Sequence, residues 1–451
     1  MARTFQMCFW VVFLCLSAGY SKAADYHYND LQSATEIQSS KRQEELLRLI
    51  KKDSISLDDM LQAVVLCNPE IAAAQNDNEA ATGRLIQAGL YPNPTIEFEA
   101  EDIPAGDVDF SRNKNTVSII QPIIFGKRRS TAISAAAAEQ EALRFALQNT
   151  IYQVLGDVRL AYMDLAYYKM ALTLNGELLA QANKILAIAQ ARFNERAAPE
   201  SELIAAQLKS TKFELNRRKL KLDILSTAKH LQSFLPDVPV PQERISSELL
   251  TELPSLDLDR LLADARERHP LILASQKTVE AAKHRLALAK AERIPDVSFR
   301  GAYGRDTLER ENIIEVGISI PLPLFNRNQG RIAEMQHKVS RSQHDAKSQC
   351  TRLETEITAL QAAYMTARDY VAVYQTNIVP AAEKASEQVL VGYRAGRTGF
   401  PDLLNAQEGL AGEKLNLLDA VRNMNRSYAL LYKITGSVMN DIETNEQKGD
   451  Y

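Results

Sequence analysis

The side chains best placed to do chemistry in this sequence are its histidines, its cysteines and a few charged residues beside glycine turns. His337 and His344 stand seven apart, with Met335 nearby. On a helix that spacing separates them by two turns, too far for one chelate. His269 precedes Pro270, which places it at a helix turn rather than in a ligand set. There is no Cys-x-x-Cys and no His-Glu-x-x-His, and Gly126-Lys127 lacks the upstream glycine of a phosphate loop. Enzyme chemistry therefore has no constellation to stand on, and the residues imply no cofactor and no resident metal. A different kind of feature is Tyr393-Arg394-Ala395-Gly396-Arg397-Thr398-Gly399-Phe400-Pro401-Asp402. Gly396 and Gly399 permit a tight turn there, and Asp402 can cap the helix that follows.

The elements that would position such a turn begin after an export signal. Arg3 gives a short positive start, Met7 to Leu16 an apolar core, and Ser21-Lys22-Ala23-Ala24 a small-residue cleavage site. Residues 1–23 read as a secretory signal peptide. Cys15 lacks the lead-in of a lipoprotein signal, so no N-terminal lipid is expected. Losing Arg3 and Lys22 moves the formal charge from −4 to about −6. That acidity argues against a nucleic-acid partner, which wants a basic face. Cys67 and Cys350 remain; in an exported chain they could pair, but both lie in helical patterns and no framework spacing exists. No later stretch is long and apolar enough for a transmembrane helix, which leaves a β-barrel open as a way of meeting the membrane.

The chain is written twice. Residues 57–98 and 258–299 align without a gap at an offset of 201. Leu57, Asp58, Leu61, Pro69, Ile71, Gln75, Glu79, Arg84, Leu85, Pro94 and Phe98 are among the positions that recur identically. Later landmarks persist: Ala161-Tyr162-Met163 answers Ala363-Tyr364-Met365, and Leu203 with Ala206-Gln207 answers Leu403 with Ala406-Gln407. Self-similarity at a long period marks two structural copies. The division follows as a segment 24–55, a first repeat 56–250, a second repeat 251–437 and a polar tail 438–451.

Each copy reads as helix, strand, strand, very long helix, helix. Ser56 with Asp59 resembles a capping box, opening a helix predicted to run to about Leu90, where Pro92 and Pro94 stop it. No proline interrupts Pro122 to Pro199 or Pro323 to Pro380. Ile151, Leu155, Val158, Tyr162 and Leu165 keep a 4-3 spacing, as do Leu353, Ile357, Leu360 and Tyr364, which predicts helices packed along a coiled-coil seam. Some seventy helical residues reach about 100 Å at roughly 1.5 Å each, so the shape is a long rod. Pro380 marks a break or kink in the later helix.

Between the helices, strands are predicted at about 94–103, 114–122, 295–304 and 312–321. Ile96, Phe98 and Ala100 alternate with Glu97, Glu99 and Glu101, and Ile314, Val316, Ile318 and Ile320 with Glu315, Gly317 and Ser319. One apolar and one charged face suits lipid outside and water inside. The competing reading is a small sheet in a soluble protein. Four strands cannot close a barrel, but three chains would supply twelve.

The duplicated layout, with strand pairs approached through Pro-x-Val/Ile-x-Phe and left through proline into a long helix, resembles the TolC family of outer-membrane efflux ducts. Ile320-Pro321-Leu322-Pro323-Leu324-Phe325-Asn326-Arg327-Asn328-Gln329-Gly330 is similar to the strand-to-helix exit of its heavy-metal branch, the CzcC- and CusC-like proteins. Pro321, Pro323, Phe325, Asn326 and Gly330 carry that likeness, and Gln121-Pro122-Ile123-Ile124-Phe125-Gly126 is a degenerate copy. The resemblance covers about Leu57 to Gly436. It implies a mainly α chain with a small β part. Four strands per chain would build a trimeric twelve-stranded barrel in the outer membrane of a Gram-negative bacterium, continued by an α-helical barrel through the periplasm. The implied partners are two further copies, outer-membrane lipid, a periplasmic adaptor and an inner-membrane resistance-nodulation-division (RND) pump.

The same resemblance makes residues 393–404 a periplasmic hairpin tip, with Tyr393, Arg394, Gly396, Arg397 and Gly399 as adaptor-docking candidates. Asp402 falls where the family places a ring of carboxylates at the closed end, and three on one axis would favour cations. A second acidic position of the family is Asn405 here, which weakens any such ring. Glu202 is the first-repeat counterpart of Asp402, reached through a tip where Arg196 replaces the glycine. The leading expectation is heavy-metal efflux. Drug efflux or type I protein secretion keeps the fold with another cargo, and a periplasmic coiled-coil scaffold without a channel is the alternative of a different class.

Overall fold

The computed structural model describes Arg48 and residues 52–436, apart from 102–113, 237, 247–248, 250, 252–254 and 308. The signal peptide, most of segment 24–55, the connection 102–113 between the first two strands and the tail lie outside the described residues. The order is α1 (Leu57–Cys67), α2 (Pro69–Gly89), β1 (Thr95–Glu101), β2 (Lys114–Ile123), α3 (Arg128–Asn194), α4 (Glu200–Ser233), α5 (Leu258–Arg268), α6 (Pro270–Ala291), β3 (Val297–Asp306), β4 (Glu311–Ser319), α7 (Gln329–Val373), α8 (Val379–Arg394) and α9 (Phe400–Thr435).

The capping box forms as the spacing predicts: Ser56 Oγ accepts from Asp59 N–H (3.2 Å), and the Asp59 carboxylate accepts from Ser56 N–H (3.1 Å). The helix it opens does not reach Leu90 unbroken. It ends at Cys67, and Asn68 takes an extended backbone and caps a new helix whose first residue is Pro69. Proline has no N–H to continue the ladder and biases the residue before it away from helical angles. The second copy repeats the break at His269-Pro270.

Without proline, α3 runs unbroken for 67 residues, about 100 Å. In the second copy α7 passes into a π-helical segment, Tyr374–Ile378, just before Pro380 in the first turn of α8. The break predicted at Pro380 is thus a widened turn that leaves the proline's missing donor unneeded.

The four strands form one antiparallel sheet in sequence order, with β1 and β4 at its edges. Phe98 faces Val117, Val117 faces Tyr303 and Tyr303 faces Ile314, so one apolar row crosses the sheet. β4 ends at Ser319, short of the predicted 321. The main core lies where α1, α3, α5, α7, α9 and the end of α4 converge, on Met60, Leu165, Leu231, Leu261, Ile357, Tyr364 and Leu431. Helices α3 and α9 pack tightly at Gly156, where a Cβ would stand 2.9 Å from Lys433 Cα.

Candidate channel wall and hairpin tips

The two faces of the sheet differ in chemistry. One face exposes Ile96, Phe98, Val117, Ile119, Tyr303, Ile314, Val316 and Ile318. On the other, the guanidinium of Arg300 pairs with Glu99, and Lys114 Nζ reaches Glu315 (2.5 Å) and Glu101 (3.8 Å). Thr116, Ser118 and Ala302 lie buried between these pairs, and Ile120 (opposite Arg300) and Ile313 (opposite Gly304) share that face. Alternation with a period of two separates the faces, and the antiparallel register puts like beside like.

At the far end of the long helices, the two hairpin tips share one backbone geometry. Gly396 has φ +69°, with Gly396 N–H bonded to Tyr393 O and Arg397 N–H to Gly392 O. Arg196 has φ +60° and repeats the pattern, with Arg196 N–H on Phe193 O and Ala197 N–H on Arg192 O. This is the left-handed helix ending that glycine adopts without strain. Gly399 needs no such freedom: its φ is −78°. The sequence expectation that both glycines make the turn is corrected to Gly396 alone.

Asp402 is the third residue of α9, and its carboxylate reaches back to accept the N–H of Gly399 (3.1 Å). It therefore caps the helix from inside rather than from the N-cap position. Glu202 holds the equivalent place in α4, but the residue three before it is Pro199, which has no N–H to offer. Its Oε2 is buried without a hydrogen-bond partner among the described residues. Asn405 is exposed one turn beyond Asp402. Of the tip residues, Arg394, Gly396, Arg397 and Gly399 are exposed and Tyr393 is not. Its ring sits between Phe400 (centroids 6.0 Å apart) and the Arg192 guanidinium (4.8 Å), inside a small core with Ala189, Ala206 and Leu403. That core joins both hairpins.

In the strand-to-helix exit, Phe325 is 90% exposed and Pro321 and Pro323 follow the end of β4. Asn326 Oδ1 accepts the N–H of Asn328 (3.0 Å). Gly330 has open space where a Cβ would be and no positive φ, so its backbone does not require glycine. Sequence reasoning passed over Asn328. It takes the left-handed conformation (φ 58°) at the start of α7 and donates to Ala289 O (2.7 Å) and Glu292 (3.2 Å), which seats the exit on α6. Asparagine tolerates that conformation better than other non-glycine residues, which was the available signal.

The model of the family described as outer membrane efflux protein matches residues 60–235 and 261–437, one stretch in each repeat. The chain belongs to that family. As an outer membrane efflux protein it sits in the outer membrane and extends into the periplasm. It is 23% identical over 388 residues to the cobalt-zinc-cadmium resistance protein CzcC of Cupriavidus metallidurans, covering 85% of this chain and 90% of that one. It is 25% identical over 298 residues to the nickel-cobalt-cadmium resistance protein NccC of Alcaligenes xylosoxydans xylosoxydans, covering 65% and 66%. Among solved structures, CusC matches with TM-score 0.73 at 15% identity over 84% of this chain and 92% of that one. The outer membrane protein VceC of Vibrio cholerae matches with TM-score 0.72 at 17% identity over 84% and 96%. These outer-membrane proteins share its fold: long helices carrying one small sheet.

Among the described residues no helix is long and apolar enough to cross a membrane.

Proposed function

We propose that the chain is the outer-membrane duct of a tripartite efflux system, assembled as a homotrimer, with a periplasmic adaptor and an inner-membrane RND pump as partners and heavy-metal cations as cargo. The observation that carries the duct is the open sheet with an apolar outer face and a charged inner one. Such a sheet has two unpaired edges, and a membrane tolerates them only when they are closed on other strands. Three copies give twelve strands. The helices point the same way. Ile204, Leu208, Leu215 and Leu222 on α4 are exposed in one chain at coiled-coil spacing, a seam for a neighbouring copy. A conduit of this kind makes and breaks no covalent bond, and its working sites are the docking tip (Arg394, Gly396, Arg397) and the carboxylates at the tips (Asp402, Glu202).

The cargo assignment rests on the relatives named for resistance to cobalt, zinc, cadmium and nickel. Deleting the gene and challenging cells with a metal panel and a drug panel tests it. Lowered tolerance to divalent metals supports it. Unchanged metal tolerance with raised drug sensitivity overturns the metal cargo and leaves the duct standing. A soluble monomer absent from the outer-membrane fraction would overturn the duct in favour of a periplasmic scaffold.

A further inference from the structure

The two strand pairs are copies at a single offset. Glu97 faces Ser118 and Phe98 faces Val117, while Ser298 faces Ser319 and Phe299 faces Ile318. Moving the first pair by 201 on both strands gives the second, so β3 is the equivalent of β1 and β4 of β2. One relationship has no counterpart among the described residues of the chain. Among the described residues, β2 has a second neighbour, β3, and β4 has none.

We infer that the exit segment Ile320–Leu324 is the unfinished end of β4, completed by β1 of a second copy in the register that β2 and β3 use inside one chain. This rests on the trimeric reading above. Within the chain Gln121 faces Phe299, Pro122 faces Ser298 and Ile123 faces Val297. Applying the offset, Leu322 faces Phe98 of the next copy, Pro323 faces Glu97 and Leu324 faces Ile96.

Three features agree. First, β2 remains a strand to Ile123 although its pairing with β1 ends at Ile120, because β3 lies alongside. β4 has only β3 and stops at Ser319, where that pairing ends. The segment beyond it closes on itself, with Leu324 N–H bonded to Leu322 O, a local turn that the missing strand would open. Second, the register matches chemistry. Leu322 (73% exposed) and Leu324 fall on the lipid side opposite Phe98 (69% exposed) and Ile96. A slip of one residue would set the leucines against Glu97 and Glu99. Third, the prolines fit. Pro122, the equivalent of Pro323, already sits opposite Ser298 in a completed ladder, so a proline is accommodated at that place.

The pairing is testable by disulfide trapping in the full-length protein carrying Cys67→Ser and Cys350→Ser. Leu322→Cys with Phe98→Cys is compared with Leu322→Cys combined with Ile96→Cys or Ala100→Cys. Directly opposed residues lie about 4.5–5.5 Å apart and diagonal ones about 7–8 Å, across the limit for a disulfide. Inside one chain β1 and β4 are on opposite edges of the sheet, so any such bond joins two copies. The expected result is a covalent ladder on denaturing gels, at least fivefold stronger for 322 with 98 than for either diagonal pair. A native-sized trimer whose strongest bond forms at a diagonal pair, or that forms none, overturns the register and leaves the trimer standing. A protein that runs as a monomer in detergent even as the single variant Ser319→Cys overturns the trimer, and the pairing with it.

Discussion

His269 donates its Nε2–H to the backbone carbonyl of Ile434, and its Nδ1 accepts the N–H of Leu271 (3.1 Å). The first repeat performs both tasks with an amide. Asn68 Nδ2 donates to Phe234 O (3.2 Å), and its Oδ1 accepts from Glu70 and Ile71. Each side chain caps one helix and ties it to the last turn of another, satisfying a donor and an acceptor that both ends leave open. The two copies therefore solve one packing problem with different chemistry, and only one solution titrates.

That difference gives a pH dependence. Burial holds the His269 pKa below the ordinary 6.5, against the opposing pull of the Ile434 carbonyl. Protonating Nδ1 also forfeits the Leu271 bond. A histidine with a lowered folded pKa contributes stability that is complete above the unfolded value and is lost as pH falls below it. Thermal unfolding of the detergent-purified protein between pH 8 and 5 should show a loss beginning near pH 6.5, with a slope of at most about 1.4 kcal/mol per pH unit from this residue. His269→Asn, which copies Asn68, should retain the neutral-pH stability and remove that component. An acid loss unchanged in His269→Asn would assign it to other groups.

The tips predict opposite effects for two substitutions. Arg196 holds a left-handed conformation that costs a side chain about 1–2 kcal/mol. Arg196→Gly should therefore raise stability by about 0.5–1 kcal/mol after the entropy of the new glycine is counted. Gly396→Ala should lower it by about 1 kcal/mol. Denaturant midpoints measure both, and a destabilised Arg196→Gly would mean that the arginine side chain does more than fill the turn.

How far the sequence carried these conclusions varies with the range of the forces involved. The Ser56–Asp59 capping box, the strand alternation and the break at Pro380 were legible because each is set by residues a few positions apart. The second helix break was also written in the sequence, at Asn68-Pro69, but the helical pattern ran through it. What confirms it is the Phe234 carbonyl, 166 residues away. Tyr393 stood among the docking candidates because residues 393–404 resemble the family's hairpin tip. Its burial depends on Arg192 and Phe400 from the other hairpin and the next helix, which local spacing cannot reveal. Glu202 and Asp402 matched by position, yet the difference between Pro199 and Gly399 gives one carboxylate a backbone donor and withholds it from the other.

Arg422 spans two helices and should not tolerate lysine. Its guanidinium makes two bonds to Asp164 (3.0 and 2.8 Å) and lies 4.4 Å from the Tyr167 ring, whose hydroxyl donates to Asp419. Burial, with that carboxylate, pushes the Tyr167 phenol pKa upward. Lysine keeps the charge and loses both the fork and the stacking. Arg422→Lys should cost about 1–2 kcal/mol and Arg422→Ala about 2–3 kcal/mol, the larger value reflecting Asp164 left with Arg426 as its remaining ion pair among the described residues. A double-mutant cycle with Asp164→Asn should give a coupling above about 1 kcal/mol, and additive single effects would show that the pair contributes little.

Charge and capping at Asp402 can be separated. Asp402→Asn keeps an oxygen for the Gly399 N–H and removes the charge, whereas Asp402→Ala removes both. If the residue only caps, Ala lowers stability by about 1 kcal/mol, Asn does little, and neither changes ion selectivity in planar bilayers. If three carboxylates ring the pore axis, both variants reduce cation over anion preference to a similar degree. The second outcome is the expected one, because the capping bond uses one carboxylate oxygen and leaves an exposed charge at the tip.

Gly156 supplies the sharpest test of the helix crossing. In an ordinary helix interior, Gly→Ala stabilises by up to about 1 kcal/mol. Here the added Cβ would stand 2.9 Å from Lys433 Cα, a backbone atom of α9 that no side-chain rotation can move aside. The same lysine is held in place by its bond to Asp157 (2.6 Å). Helices α3 and α9 would have to separate, so Gly156→Ala should destabilise by about 1–3 kcal/mol, the range for overpacking a filled interior. The sign alone decides. A stabilised Gly156→Ala would mean that the two long helices pass farther apart than the structure places them, and with them the junction between the repeats.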